Sequence, residues 1–105
     1  AAVLVASTWN VGLLNDNMIK FHEDMLKMQF PGKIIEVIGL GDSRGYDIFC
    51  GSADILEKAV AQVGARQIMY TLRIDGSVYH RLEEFKGWGK VFIDKLNKEF
   101  STENI

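Results

Sequence analysis

Two unbroken apolar runs constrain this chain more than any other feature. Ala1 to Ala6 reads AAVLVA, and Lys33 to Leu40 reads KIIEVIGL. Neither alternates polar with apolar residues, as a strand with one wet face would. Such runs belong to strands buried on both faces, the habit of parallel strands sandwiched between helices. A chain of 105 residues has room for one domain with a modest core. Residues 1–105 are therefore read as a single domain, without linker, internal repeat or low-complexity tract. Glu36 interrupts the second run, which predicts a strand face near solvent or near a cation.

A third strand is read over Arg66 to Ile74, RQIMYTLRI. There Ile68, Tyr70, Leu72 and Ile74 alternate with Gln67, Met69, Thr71 and Arg73, the pattern of a strand with one less-covered face. Asp75-Gly76 turns the chain. Helical spacing fills the gaps between strands. Asn15 or Asp16 caps a helix running to about Gln29, with Ile19, His22, Met25 or Leu26, and Met28 on one face, and Pro31-Gly32 stops it. The second helix, about Ser52 to Val63, turns Ile55 or Leu56, Ala59, Val60 and Val63 inward, with Gly64 placed as a C′ residue. The last helix runs from about Arg81 to Phe100, with a stripe of Leu82, Phe85, Trp88 or Gly89, Phe92, Leu96 and Phe100. Gly87 and Gly89 each cost that helix about 1 kcal/mol relative to Ala, which points to close packing or a looser first turn. Ser101 to Ile105 reads as a frayed end.

The order is β-α-β-α-β-α, an α/β fold whose parallel sheet carries helices on both faces. Right-handed crossovers put the first two helices on one face and leave the other to the last helix. Two loops then emerge side by side at the carboxyl ends of strands, the edge where an open parallel sheet holds its ligand. The first spans Ser7 to Leu14 and contains Trp9; the second, GLGDSRGYDIFCG over Gly39 to Gly51, contains Tyr46. Glycines let the backbone approach a bound molecule, and the two aromatics can bracket a flat ligand between them. Asn10, Asp42 and Ser43 add polar contacts.

Other chemistries find little support. Ser7, Ser43 and Ser52 lack a nucleophile-elbow context, and neither His22 nor His80 lies near these loops in sequence. Cys50 stands near a helix start, where a thiol pKa falls, but its Ile48-Phe49 flank reads as a buried structural cysteine. No His and Cys spacing suits a metal. Glu23-Asp24 and Glu83-Glu84 read as solvated helix faces. Net charge is −2, and the twelve Lys and Arg are scattered, so no nucleic-acid surface or polybasic membrane patch is expected. No apolar run approaches the roughly 18 residues of a membrane span. One cysteine fits a reducing compartment, and the expected location is cytoplasmic.

The loops resemble the two flavin-bracketing loops of flavodoxins. Ser7-Thr8-Trp9-Asn10-Val11-Gly12 with Leu13 is similar to that family's first aromatic loop. Gly41-Asp42-Ser43, Tyr46, Phe49-Cys50-Gly51 and Asp54 are similar to its second. The likeness continues through Glu57-Lys58-Ala59, Val63-Gly64-Ala65 and Leu72-Arg73-Ile74-Asp75-Gly76 to Trp88. It implies a three-layer flavodoxin-like fold and FMN as cofactor, in an electron carrier rather than a catalyst of a substrate reaction. Trp9 and Tyr46 would sandwich the isoalloxazine ring, and the backbone of Ser7, Thr8, Asn10, Val11, Gly12, Gly41, Asp42, Phe49 and Cys50 would contact its edges. Arg44-Gly45 departs from the short-chain pattern by one extra residue before the Tyr.

The family's opening strand, its phosphate-cradling loop and the next βα unit have no counterpart in these residues, so the resemblance makes the fold incomplete. What remains matches strands three to five of five. The sequence opens directly in AAVLVA without Met, as a chain cut, permuted or taken from something longer would. In the flavodoxin strand order 2-1-3-4-5, AAVLVA would pair with the absent first strand, and the last helix would pack beside the absent first helix. An apolar, uncharged edge of this kind recruits another chain. The expected partners are therefore a second copy or a complementing amino-terminal half, together with redox partner proteins. The alternative reading is a half-flavodoxin module that self-associates through its first strand and binds no flavin.

Overall fold

A computed structural model describes residues 1–9, 13–14, 16–41, 51–76 and 81–103, and the side chains of 1–6, 18–41, 51–76 and 81–100 among them. In chain order the elements are β1 (Ala2–Trp9), β2 (Leu13–Leu14), α1 (Asp16–Leu26), β3 (Ile35–Gly41), α2 (Gly51–Gln62), β4 (Leu72–Asp75) and α3 (Leu82–Glu103). The sheet order is β2-β1-β3-β4. β1 pairs in parallel with β3 from Ala2 opposite Ile35 to Ser7 opposite Leu40, and β3 pairs in parallel with β4. The two apolar runs thus become neighbouring parallel strands, but only β3 is buried on both faces: Val3 and Val5 of β1 are exposed, so AAVLVA is not the doubly covered strand its sequence predicts.

Helices cover both faces. On one face, Ala6, Ile35 and Val37 pack with Met25 of α1 and with Ala53, Leu56, Ala59 and Val60 of α2. On the other, Ile34, Ile38, Leu72 and Ile74 pack with Trp88 and Phe92 of α3. Each large aliphatic side chain removed from water in these layers stabilises the fold by roughly 1.5–3 kcal/mol. The α2 inner face follows the helical period of its sequence. Its end is a Schellman motif: Gly64, at φ 83°, donates to the Ala61 carbonyl, and the Ala65 amide donates to Val60.

Several expectations need correction. β2 is an extra strand: Leu13 and Leu14 turn back and pair antiparallel with Trp9 and Thr8. Helix α1 ends at Leu26, three residues before Gln29, because its last turn tightens through the Lys27 and Met28 amides onto Asp24 and Met25. Its inner face runs through Met18, Met25 and Leu26, while Ile19 and Met28 are exposed. Helix α3 continues through Glu103, so residues 101–103 are helical rather than frayed. Space is open around both Gly87 and Gly89, so neither glycine serves close packing within the chain.

The largest correction concerns residues 66–71. Arg66 makes an isolated parallel bridge to Ile34, and the regular strand begins only at Leu72. Glu36 explains the gap. It is fully buried, away from solvent, and its carboxylate accepts the amides of Ile68 at 2.7 Å and Met69 at 3.2 Å. Those amides are lost to the ladder, so the chain leaves the sheet. Met69 is consequently buried and Tyr70 stands 65% exposed, the reverse of the period-2 reading. The Glu36 side chain is met by two backbone amides, where the sequence suggested solvent or a cation.

Candidate functional site

The register of β1 on β3 sets the geometry of the proposed ligand edge. Ser7 lies opposite Leu40, so the carboxyl ends of the two strands finish side by side, about 4.8 Å apart as neighbouring strands are. Trp9 is the last residue of β1, held opposite Leu13 by the short antiparallel pair. Gly41 closes β3, and its carbonyl accepts the Gly76 amide at 2.7 Å. The ends of β1, β3 and β4 are thereby tied into one rim. Gly76 sits at φ 83°, a left-handed turn that suits a residue without Cβ.

Of the residues singled out from the sequence, Ser7, Thr8 and Trp9 fall on β1 and Gly41 on β3, all at this rim. Asn10, Val11, Gly12, Asp42, Ser43, Tyr46, Phe49 and Cys50 lie outside the described residues, as do Asn15 and His80. The segments that carry them, 10–12 and 42–50, start from adjacent strand ends at the same edge of the sheet.

Below the rim, two groups fix α2, whose first residue follows the second loop. Ser52, read above as the start of a helix and as an unsupported nucleophile, is fully buried and donates from Oγ to the Ala6 carbonyl at 3.4 Å. That bond ties the first turn of α2 to the end of β1. On the outer side, Arg73 of β4 donates to Asp54 at 2.6 Å and to Glu57. Thr71 donates to the other Glu57 oxygen at 2.8 Å, and Gln67 donates to Thr71 at 3.0 Å. Partial burial works against the Arg73 charge, but its bonds to Asp54 and Glu57 outweigh this and hold its pKa above the ordinary guanidinium value. The signal for this clamp was present in the sequence: Asp54 and Glu57 are three residues apart, on one helical face, while Arg73 faces away from the buried Leu72 and Ile74.

The arrangement offers backbone groups, glycines and one placed aromatic position at a sheet edge. It offers little acid–base or metal chemistry. Among the described residues no group of three or more His, Cys, Asp and Glu could hold a metal ion, and no helix is long and apolar enough to cross a membrane.

Comparison with known proteins agrees with this geometry. The flavodoxin family model matches residues 1–88. A flavodoxin of Maridesulfovibrio salexigens is 34% identical over 79% of this chain and 55% of its own length. The crystal structure of oxidised Flavodoxin 2 from Bacillus cereus superposes with a TM-score of 0.68 at 30% identity, covering 72% of this chain and 51% of that one. At 22% identity, which speaks for the fold alone, a flavodoxin mutant of Fusobacterium nucleatum bound to flavin mononucleotide superposes with a TM-score of 0.59, over 72% of this chain and 48% of that one. The chain spans about half the length of the relatives it matches. It belongs to the flavodoxin family.

Proposed function

We propose that this chain carries the ring-binding edge of an FMN-dependent electron carrier, and that it corresponds to strands three to five of a flavodoxin. One observation carries the reading: β1 and β3 end side by side in parallel register, so the loops bearing Trp9 and Tyr46 leave from adjacent points. Family membership supplies the cofactor class. Bound FMN supplies the redox chemistry; the protein's part is to hold the ring and set its surroundings.

The residues at the rim suit a flat, mainly uncharged ring. Trp9 and Tyr46 would stack on its faces, each contact contributing about 0.5–1.5 kcal/mol beyond area burial. Backbone groups of 7–12 and of 41–50 would meet its polar edge. The Ser52 bond to Ala6 and the Arg73 clamp on α2 support the second loop from below, so that its far end is fixed. The aromatic pair would also exclude water from the ring.

Titration of FMN with the chain, followed by flavin fluorescence, tests the proposal. Quenching that is weakened in both Trp9→Ala and Tyr46→Ala supports it. Quenching that is absent in the parent chain, or unchanged in both variants, removes the ring site and leaves a flavodoxin-like module without flavin.

A further inference from the structure

The two ends of the segment that pairs with β3 on its outer side are out of step. Arg66 stands opposite Ile34, and Leu72 stands opposite Ile38. Between these points β3 advances four residues while its neighbour advances six, so two residues are surplus. They form an arch over 67–71. The Gln67 side chain donates to the Thr71 hydroxyl at 3.0 Å across its foot, Met69 is buried and Tyr70 stands in solvent. Side chains hold its backbone in place of a ladder. The Glu36 carboxyl group accepts the Ile68 and Met69 amides, Lys95 donates to the Ile68 carbonyl, and the Trp88 indole donates to the Tyr70 carbonyl.

The same residues fit a second, unbroken register. Continued from Arg66 opposite Ile34, the pairing would set Ile68 against Glu36, Tyr70 against Ile38, Leu72 against Leu40 and Arg73 against Gly41. Side chains alternate with period two, so a shift of two residues keeps Leu72 and Ile74 on their present face. Glu36 stands against that register. In it the Ile68 amide would turn into the ladder, as the Arg66 amide already does toward the Lys33 carbonyl, and the Met69 amide would turn to the outer edge. The Glu36 carboxyl group, fully buried, would lose both donors, and a buried polar group without partners is costly.

We propose that Glu36 selects the register of β4, and that the second register, two residues away, is a conformational switch built into the ligand edge. The switch moves β4 about 6.6 Å toward that edge, at about 3.3 Å per residue. Gly76 then leaves the Gly41 carbonyl, and Arg73 leaves Asp54 and Glu57. The turn at Asp75-Gly76 projects past the end of β3, and the first turns of α2 lose their clamp. The consequence for flavin rests on the function proposed above; the register itself does not.

The register is therefore read without flavin, by amide exchange and by NMR contacts between strands in the 105-residue chain. Glu36→Leu removes the carboxyl group and supplies an apolar side chain opposite Ile68. The cross-strand contact of Ile38 should move from Leu72 to Tyr70, and the Ile68 and Tyr70 amides should become slow to exchange. Glu36→Ala leaves a void at that place, so it loosens the arch without moving β4. Deleting Met69 and Tyr70 from the Glu36→Leu chain removes the surplus and should return Ile38 to Leu72, a rescue that a mere loss of packing would not permit. If Glu36→Leu fails to fold, Glu36→Gln, which keeps one acceptor, should show two sets of amide signals over 66–76. Ile38 still beside Leu72 in Glu36→Leu, or a single set of signals in Glu36→Gln, would overturn the proposal.

Discussion

The two faces of β1 differ in how completely they are finished. On the α2 side, Leu4 and Ala6 meet a packed layer of α1 and α2 residues, a buried serine bridges helix to strand, and α2 ends in a full Schellman motif. On the α3 side, Val3 and Val5 remain exposed, as do Leu82, Phe85 and Ile93 of α3. Folding rewards burial in rough proportion to apolar area, so β1 contributes through Leu4 and Ala6 on the first face, while on the second the core is built by β3, β4 and α3 and Val3 and Val5 add little. The ring edge grows from the finished part. Its strand ends are fixed by groups that belong to the chain itself.

Substitutions can break that contrast. Leu56→Ala, in the finished layer, should cost about 2–5 kcal/mol in urea unfolding, while Ile93→Ala on the open flank should stay within about 0.5 kcal/mol. Equal losses would mean that the two faces are equally closed. Trp88 marks the boundary between them. It is 4% exposed, stacks near Phe92 with ring centroids 5.3 Å apart, and donates to Tyr70. Trp88→Ala should cost about 3–5 kcal/mol, a large share of a small domain's stability, without changing the spectrum of any flavin that still binds.

Glu36→Ala should cost about 1–3 kcal/mol for each amide left without a partner, at Ile68 and Met69. Faster amide exchange confined to 66–71 would show that the carboxylate shapes that segment. The smallest effect is one of pH. Arg66 holds the Glu99 carboxyl below its usual range by hydrogen bond and charge. A carboxyl depressed in the folded state stabilises above its unfolded pKa and loses this as pH falls through the folded value. The contribution should therefore be present at neutral pH and vanish in acid, and Glu99→Gln should remove that step from the pH dependence of unfolding.

Much of this was legible in the sequence, for physical reasons that also mark where legibility stopped. AAVLVA and KIIEVIGL pointed to parallel neighbours because apolar runs suit strands covered on both faces; the pairing holds, while cover on both faces holds for β3 and not for β1, where Val3 and Val5 are exposed. The α2 face and its Gly64 cap followed from period and chemistry. The third strand failed because its alternation was sound but its amides were claimed by Glu36, thirty-two residues away from Ile68, and no local pattern records such a bond. The apolar stripe of α3 was read correctly as a stripe; that Leu82, Phe85 and Phe100 stay exposed depends on the width of the sheet. The Ser52 anchor was likewise a tertiary event, whereas the Arg73 clamp left a trace in the spacing of Asp54 and Glu57. At the carboxyl edge of the sheet, Ser7 to Trp9, read from the sequence as loop, continue β1, and Gly41 closes β3, while Asn10, Asp42 and Tyr46 lie outside the described residues.

The contrast between a finished ring edge and the open side of β1 is tested most directly by comparing riboflavin with FMN on the 105-residue chain. If the chain supplies the aromatic bracket, and a phosphate cradle belongs to the part of the domain beyond it, binding should depend on the ring alone. Fluorescence titration should then give weak and similar affinities for the two flavins, with no competition from added phosphate. A preference for FMN of about 100-fold or more, the gain expected when charge-assisted bonds hold a phosphate, would place a phosphate site within the chain and contradict this account.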